Sequence, residues 1–181
     1  MENGTGKKEN NKMIIFFKDW IIPIISAAII YFLLNKFVFF NVQVPTGSMI
    51  PTINIDNRAV VTRIYNYDNL KRGDVIVFYS DELGERLVKR LIGLPGDKIE
   101  IKNGVVFVND EQLQEDYVKN KDHYDSEGIF QVPQGKYFFL GDNRPVSKDA
   151  RYWINPYIDS SVLEGKAQFI FYPFTDFKVI K

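Results

Sequence analysis

Residues 98–108 read Lys-Ile-Glu-Ile-Lys-Asn-Gly-Val-Val-Phe-Val. Two short runs, Lys98–Lys102 and Val105–Val108, flank Asn103-Gly104. That dipeptide is the strongest short hairpin signal, because both residues tolerate the positive φ of a type I′ turn. Runs of the same kind lie on either side. Leu87 to Leu94 reads as a strand ended by Pro95-Gly96-Asp97, and Arg72-Gly73-Asp74 is a turn before the short buried strand Val75–Tyr79. Ala59–Tyr65 is β-branched and aromatic, as strands prefer, and Lys136–Leu140 and Gln168–Tyr172 complete the set. Only Asp110 to Asn120 is helix-capable, and the polar residues 110–135 are expected to leave the main sheet as an excursion. The expected class is mainly β, an antiparallel domain over residues 41–181 with enough alternating apolar positions for one core.

The N-terminal part reads differently. Trp20 to Leu34, Trp-Ile-Ile-Pro-Ile-Ile-Ser-Ala-Ala-Ile-Ile-Tyr-Phe-Leu-Leu, carries no charge; Asn35-Lys36 interrupts, and Phe37-Val38-Phe39-Phe40 resumes the apolar run. Twenty-one residues at ~1.5 Å each span roughly 31 Å, one hydrocarbon core. A buried core helix would show a stripe, whereas these apolar residues cover every face. A cleaved signal peptide would need a small-x-small site after Leu34, which is missing. An uncleaved transmembrane anchor over 20–40 fits best, with residues 1–19 as a tail. Lys7, Lys8, Lys12 and Lys18 precede the anchor, so the positive-inside rule puts the tail in the cytoplasm and residues 41–181 outside the membrane.

Composition excludes several chemistries. Lys plus Arg and Asp plus Glu both number 23, so no net charge points to nucleic acid. There is no cysteine, which removes disulfides, thiolate metal sites and cysteine nucleophiles; with His123 as the sole histidine, no metal site or cofactor is expected. A Ser-His-Asp triad would have to use that one residue.

Beyond the anchor, Val42 to Thr52 reads Val-Gln-Val-Pro-Thr-Gly-Ser-Met-Ile-Pro-Thr, with two prolines and a glycine around Ser48. The segment reads as an ordinary loop unless Ser48 meets an activating base. Histidine being scarce, the alternative is a lysine whose charge is suppressed. Lys89 lies in Leu87-Val88-Lys89-Arg90-Leu91-Ile92-Gly93, where alternation puts Leu87, Lys89 and Leu91 on one face and Val88, Arg90 and Ile92 on the other. Desolvation among leucines lowers a lysine pKa, whereas an edge-strand lysine would keep its head in water. A third polar cluster runs from Gly141 to Trp153, either a solvated turn or a source of hydroxyl and carboxylate partners for a neutral lysine.

Taken together and in this order, these segments resemble the bacterial type I signal peptidases, Gram-positive in their single anchor and short chain. The P-[ST]-x-S-M-x-P-T motif matches Pro45–Thr52, the RGD-hydrophobic strand matches Arg72–Phe78, KR-x-x-GLPGD matches Lys89–Asp97, and GDNR-x-x-S-x-D-x-R matches Gly141–Arg151. The resemblance implies a β domain of the signal-peptidase type behind one transmembrane helix, and a Ser/Lys dyad endopeptidase that removes signal peptides from exported preproteins after Ala-x-Ala. It implies Ser48 as nucleophile and Lys89 as general base. Thr46 would join the Ser48 backbone N–H in the oxyanion hole. Ser147 would hydrogen-bond and orient the lysine, with Asp149 and Arg151 holding that region in shape. Val44, Pro45, Met49, Ile53 and Val88 would border pockets for small side chains. The implied partners are signal peptides and membrane lipid, with no nucleic acid and no metal. Departures from the family pattern are Pro145-Val146, Ala150 and Ile154. The alternative is a catalytically silent relative that assists assembly of exported or pilus proteins, a role in which loss of the serine or lysine would be expected.

Overall fold

The computed structural model describes residues 14–119 and 127–181; His123, Asn120 and the tail lysines 7, 8 and 12 lie outside them. Two compact units meet at the boundary between Phe39 and Phe40.

The first unit is a helix, Ile14–Phe37, 24 residues long. At ~1.5 Å per residue it reaches about 36 Å. Its winding changes from a π-helical turn at Phe17–Ile21 to a regular α-helix, α1, at Ile22–Phe37. Pro23 stands at that change, where it has no N–H to offer the carbonyl four residues back; widening the preceding turn relieves the clash. None of the residues of these two helical segments is buried, and the helix is long and apolar enough to cross a membrane. The apolar run and the helix do not end together. Phe39 and Phe40, grouped with the anchor on hydropathy, begin a β-strand, because Phe40 packs against buried apolar residues and the Arg63 guanidinium sits 4.9 Å from its ring.

Among the described residues there are twelve strands, all in the second unit but for the first residue of β1: β1 (Phe39–Gln43), β2 (Arg58–Arg63), β3 (Val75–Ser80), β4 (Glu85–Gly93), β5 (Lys98–Lys102), β6 (Val105–Val108), β7 (Glu111–Gln112), β8 (Gly128–Gln131), β9 (Lys136–Leu140), β10 (Tyr157–Asp159), β11 (Leu163–Tyr172) and β12 (Lys178–Val179). The main sheet runs β1-β2-β11-β3-β4-β9-β10, with β12 on β11, and a smaller sheet runs β7-β6-β5-β8. The pairings β2–β11, β11–β3, β3–β4, β4–β9 and β9–β10 are antiparallel. The Asn103-Gly104 hairpin forms with Lys102 opposite Val105 and with φ of 49° and 75° at its two turn residues.

The excursion is larger than composition suggested. The chain leaves the main sheet at Leu94–Asp97, so β5 and β6 belong to the small sheet together with β7 and β8. No helix forms over 110–119; the polar residues that allow one there pair as β7 or turn, and Glu115 and Tyr117 are drawn into contacts with distant arginines.

Two apolar clusters hold the second unit. The larger gathers Phe78, Leu91, Phe138 and Phe139, with the Phe78 and Phe139 rings 4.6 Å apart. The smaller gathers Val44, Met49, Ile53, Val61, Val77 and Ile170. Each such side chain contributes roughly 1.5–3 kcal/mol on burial. Past its exposed start at Glu85 and Arg86, β4 is covered on both faces, so the polar side chains of Lys89 and Arg90 are also forced out of water.

Candidate active site

Ser48 occupies a single 3₁₀ turn, Gly47–Met49, that follows extended Thr46. Short-range bonds shape it: Ile50 N–H donates to the Gly47 carbonyl at 3.3 Å and Ile53 N–H to the Met49 carbonyl at 2.8 Å. Lys89 lies in the middle of β4, opposite Ile76 of β3. Its side chain crosses to the turn, where Nζ donates to Ser48 Oγ at 2.7 Å. Both are withdrawn from solvent, with 3% of Lys89 and 8% of Ser48 exposed.

The electrostatics move Lys89 toward the neutral form. Burial dominates and brings the Lys89 pKa down from 10.5 to about 8, because the ammonium loses its hydration. Asp149 and Glu85 push it back up, Arg151 pulls it down, and Asp142 raises it slightly. Asp149 is neutralised at close range. Its carboxylate accepts from Arg151 Nε at 2.7 Å, from Arg151 Nη2 at 2.9 Å and from the Gly141 N–H at 2.9 Å. Arg151 therefore offsets part of the field by which Asp149 would recharge the lysine.

The expected residues are mostly gathered here. Thr46 Oγ1 is 3.4 Å from Ser48 Oγ. A groove of about 250 Å³ passes the pair, lined by residues 41–46 and 85–89, including Val44, Pro45 and Val88. Thr46, Ser48 and Lys89 also line a second recess of about 550 Å³ with Leu83, Val146 and Lys148. Met49 and Ile53 do not line the groove; both are fully buried in the smaller core cluster, against which Val88 packs. Ser147 is buried beside the site, but its hydroxyl makes no hydrogen bond and is not paired with Lys89. Its neighbour Gly141 must lack a side chain: a Cβ there would stand 2.1 Å from Ser147 Oγ and 2.6 Å from the Ser48 carbonyl oxygen.

Residue-type reasoning missed the polar frame behind Ser48 and Lys89. Arg90, on the face of β4 opposite Lys89, donates to Asp142 from Nε at 2.8 Å and from Nη2 at 2.7 Å, and to the Gly73 carbonyl from Nη1 at 2.6 Å. Thr52 donates to the same Asp142 carboxylate, and the Tyr117 ring lies 3.9 Å from the Arg90 guanidinium. Arg144 is fully buried, paired with Glu115 through Nη1 at 3.0 Å and through Nη2, and its Nε donates to the Gly141 carbonyl at 2.9 Å. The alternation that singled out Lys89 equally placed Arg90 among Val88 and Ile92, and an arginine there requires a carboxylate. Nothing local says which of 23 acidic residues supplies it. Among the described residues, no cluster of three or more His, Asp or Glu side chains could hold a metal ion.

The family model described as signal peptidase, peptidase S26, matches residues 17–172. A signal peptidase I of Bacillus licheniformis is 34% identical, covering 96% of this chain and 98% of that one. A signal peptidase IB of Staphylococcus aureus is 38% identical, covering 88% and 92%. A signal peptidase I of Enterococcus faecalis, known from its crystal structure, is 34% identical over 54% of this chain and 96% of that one, with a TM-score of 0.49. With a family model spanning most of its length and relatives above 30% identity along nearly all of it, this chain belongs to the peptidase S26 family of bacterial type I signal peptidases.

Proposed function

We propose that the protein is a membrane-anchored serine endopeptidase that removes N-terminal signal peptides from exported preproteins, cutting after a small-x-small (Ala-x-Ala) site with Ser48 and Lys89. The observation that carries this reading is the 2.7 Å hydrogen bond from a buried Lys89 to Ser48 Oγ at the edge of an open groove. Neutral Lys89 accepts the Ser48 proton as Oγ attacks the scissile carbonyl, then returns it to the leaving amine. The resulting ester is hydrolysed by a water that the same lysine deprotonates. Thr46 Oγ and the Ser48 N–H receive the developing oxyanion.

The substrate lies extended along residues 42–46, with alternate side chains directed at the groove near Val44, Pro45 and Val88, and little room for large ones. Met49 and Ile53 act from behind, as core residues that hold this wall in place. Asp149 and Arg151 act on Lys89 through their charges, and Ser147 is buried beside them. The apolar helix Ile14–Phe37 anchors the enzyme as a single span in the cell membrane, with the N-terminus in the cytoplasm and the catalytic domain outside.

The test is cleavage of a signal-peptide-bearing precursor by the full-length chain and by Ser48→Ala and Lys89→Ala. The two variants are expected to lose cleavage while keeping the wild-type circular dichroism. Cleavage by Ser48→Ala at the wild-type rate overturns the reading.

A further inference from the structure

Asn143 is held between two buried ion pairs of its immediate neighbours, Asp142 with Arg90 and Arg144 with Glu115. Its backbone also closes a turn, accepting from the N–H groups of Val146 at 3.2 Å and Ser147 at 3.0 Å. From this fixed position it grips the nucleophile turn twice. Its own N–H donates to the Ser48 carbonyl at 3.0 Å, and its side-chain Nδ2 donates to the Gly47 carbonyl at 3.0 Å.

The second bond bears on catalysis through peptide geometry. The Gly47 carbonyl and the Ser48 N–H belong to one planar trans peptide, in which C=O and N–H point in opposite directions. Whatever fixes the direction of that carbonyl also fixes the direction of that N–H. Within the turn itself the Gly47 oxygen receives only the longer bond from Ile50, at 3.3 Å. We propose that the Asn143 side chain is a positioning residue for the oxyanion hole: by holding the Gly47 carbonyl it aims the Ser48 N–H at the oxygen of the scissile peptide. This rests on Ser48 being the nucleophile. It adds a residue that touches neither Lys89 nor the substrate and acts through one peptide plane.

A group that only orients an oxyanion donor affects the transition state more than the bound substrate. The experiment uses the full-length chain in detergent, a peptide substrate with an Ala-x-Ala site, and the corresponding Ala-x-Ala peptide aldehyde, whose adduct with a serine puts an oxygen into the hole. In Asn143→Ala, kcat is expected to fall on the order of 10- to 100-fold, below the 10²–10³ typical of deleting a donor outright. KM should stay within about threefold, aldehyde affinity should fall in step with kcat/KM, and the midpoint of the kcat/KM pH profile should not move. Asn143→Leu, close in size, uncharged and without the N–H donor, repeats the measurement if Asn143→Ala does not fold. Activity within about twofold of wild type, a loss carried by KM, a displaced pH midpoint, or failure of both variants to fold each overturns the proposal. An active Ser48→Ala control would instead sink the proposed function itself, so the two failures are distinguishable.

Discussion

Lys89 Nζ stands 2.7 Å from Ser48 Oγ, on a stretch of β4 withdrawn from solvent, so once the amine is neutral the hydroxyl proton has one short hydrogen bond to cross. Burial brings the Lys89 pKa to about 8, and only the neutral amine can act. In the free enzyme kcat/KM should therefore rise with a midpoint near pH 8 and level off above it. Lys89→Arg should be inactive at every pH, since guanidinium keeps its proton. A profile flat from pH 6 to 10, with chemistry shown to limit the rate, would remove lysine from the mechanism.

The same burial has a stability consequence of definite sign. Unfolded, Lys89 titrates near 10.5; folded, it titrates near 8. Between those values the unfolded chain binds a proton that the folded one does not, so this group makes stability rise with pH across that window and withholds the full amount below it. About 1.4 kcal/mol per pKa unit puts the penalty at pH 7 on the order of 3 kcal/mol. Lys89→Met should be more stable than wild type at pH 7, with the advantage shrinking toward pH 10, in urea unfolding followed by circular dichroism. Equal stability of the two proteins at pH 7 would contradict the cost assigned to burial.

What the sequence disclosed follows from how far apart the determining residues lie. The hairpin at Asn103-Gly104 needs only a two-residue turn and its flanks, and its strands Lys98–Lys102 and Val105–Val108 were bounded as they occur. Lys89 stood out because alternation alone set it among leucines, and its burial follows from that. The opposite cases depend on distant partners. Arg90 and Asp142 are 52 residues apart, and Arg144 and Glu115 are 29 apart. Glu115 sits in the stretch that looked helix-capable, where a distant arginine overrides local propensity. Strand β1 was hidden for another reason: its first two phenylalanines continue the apolar run of the helix, and hydropathy cannot tell a lipid-facing ring from one packed under Arg63.

Thr46 offers a test of the second oxyanion donor proposed above. Its hydroxyl is 3.4 Å from Ser48 Oγ, near enough for both to face one substrate oxygen. Thr46→Ser keeps a hydroxyl and should retain most activity. Thr46→Val keeps the shape and loses the donor, so kcat should fall on the order of 10²–10³ with KM nearly unchanged. Full activity in Thr46→Val would leave the oxyanion with the backbone donor alone.

The Arg90–Asp142 pair should behave as a buried salt bridge whose two halves depend on each other. Its side chains are 1% and 0% exposed, and the carboxylate also receives Thr52. Removing one partner leaves an uncompensated charge in a dry site, a loss of about 3–5 kcal/mol. Asp142→Ala should therefore be severely destabilised in denaturant titration, and adding Arg90→Met should restore part of that loss. A double variant less stable than either single one would show that the guanidinium's bond to the Gly73 carbonyl matters more than its charge.

The junction between helix and strand fixes where an anchor-free enzyme can begin. A chain starting at Val38 keeps β1 whole, whereas one starting at Asn41 loses Phe39 and Phe40. Phe40 is partly buried against the smaller core cluster, the cluster that contains Val44 and Met49 on either side of Ser48. Truncating a phenylalanine so placed should cost on the order of 1–3 kcal/mol. Loosening β1 should also blur the wall of the groove formed by residues 41–46, along which the substrate is proposed to lie. Both truncations should cleave a short Ala-x-Ala peptide, since the helix contributes no catalytic group. The shorter one should unfold at lower urea and show a raised KM. Against a membrane-embedded precursor the chain starting at Val38 should lose efficiency relative to full length, because the anchor raises the local concentration of enzyme at the bilayer. Peptide assays and urea unfolding on both truncations, with the full-length chain as reference, separate the two contributions. If the chain starting at Val38 is folded by circular dichroism yet fails to cut the peptide, the helix does more than tether.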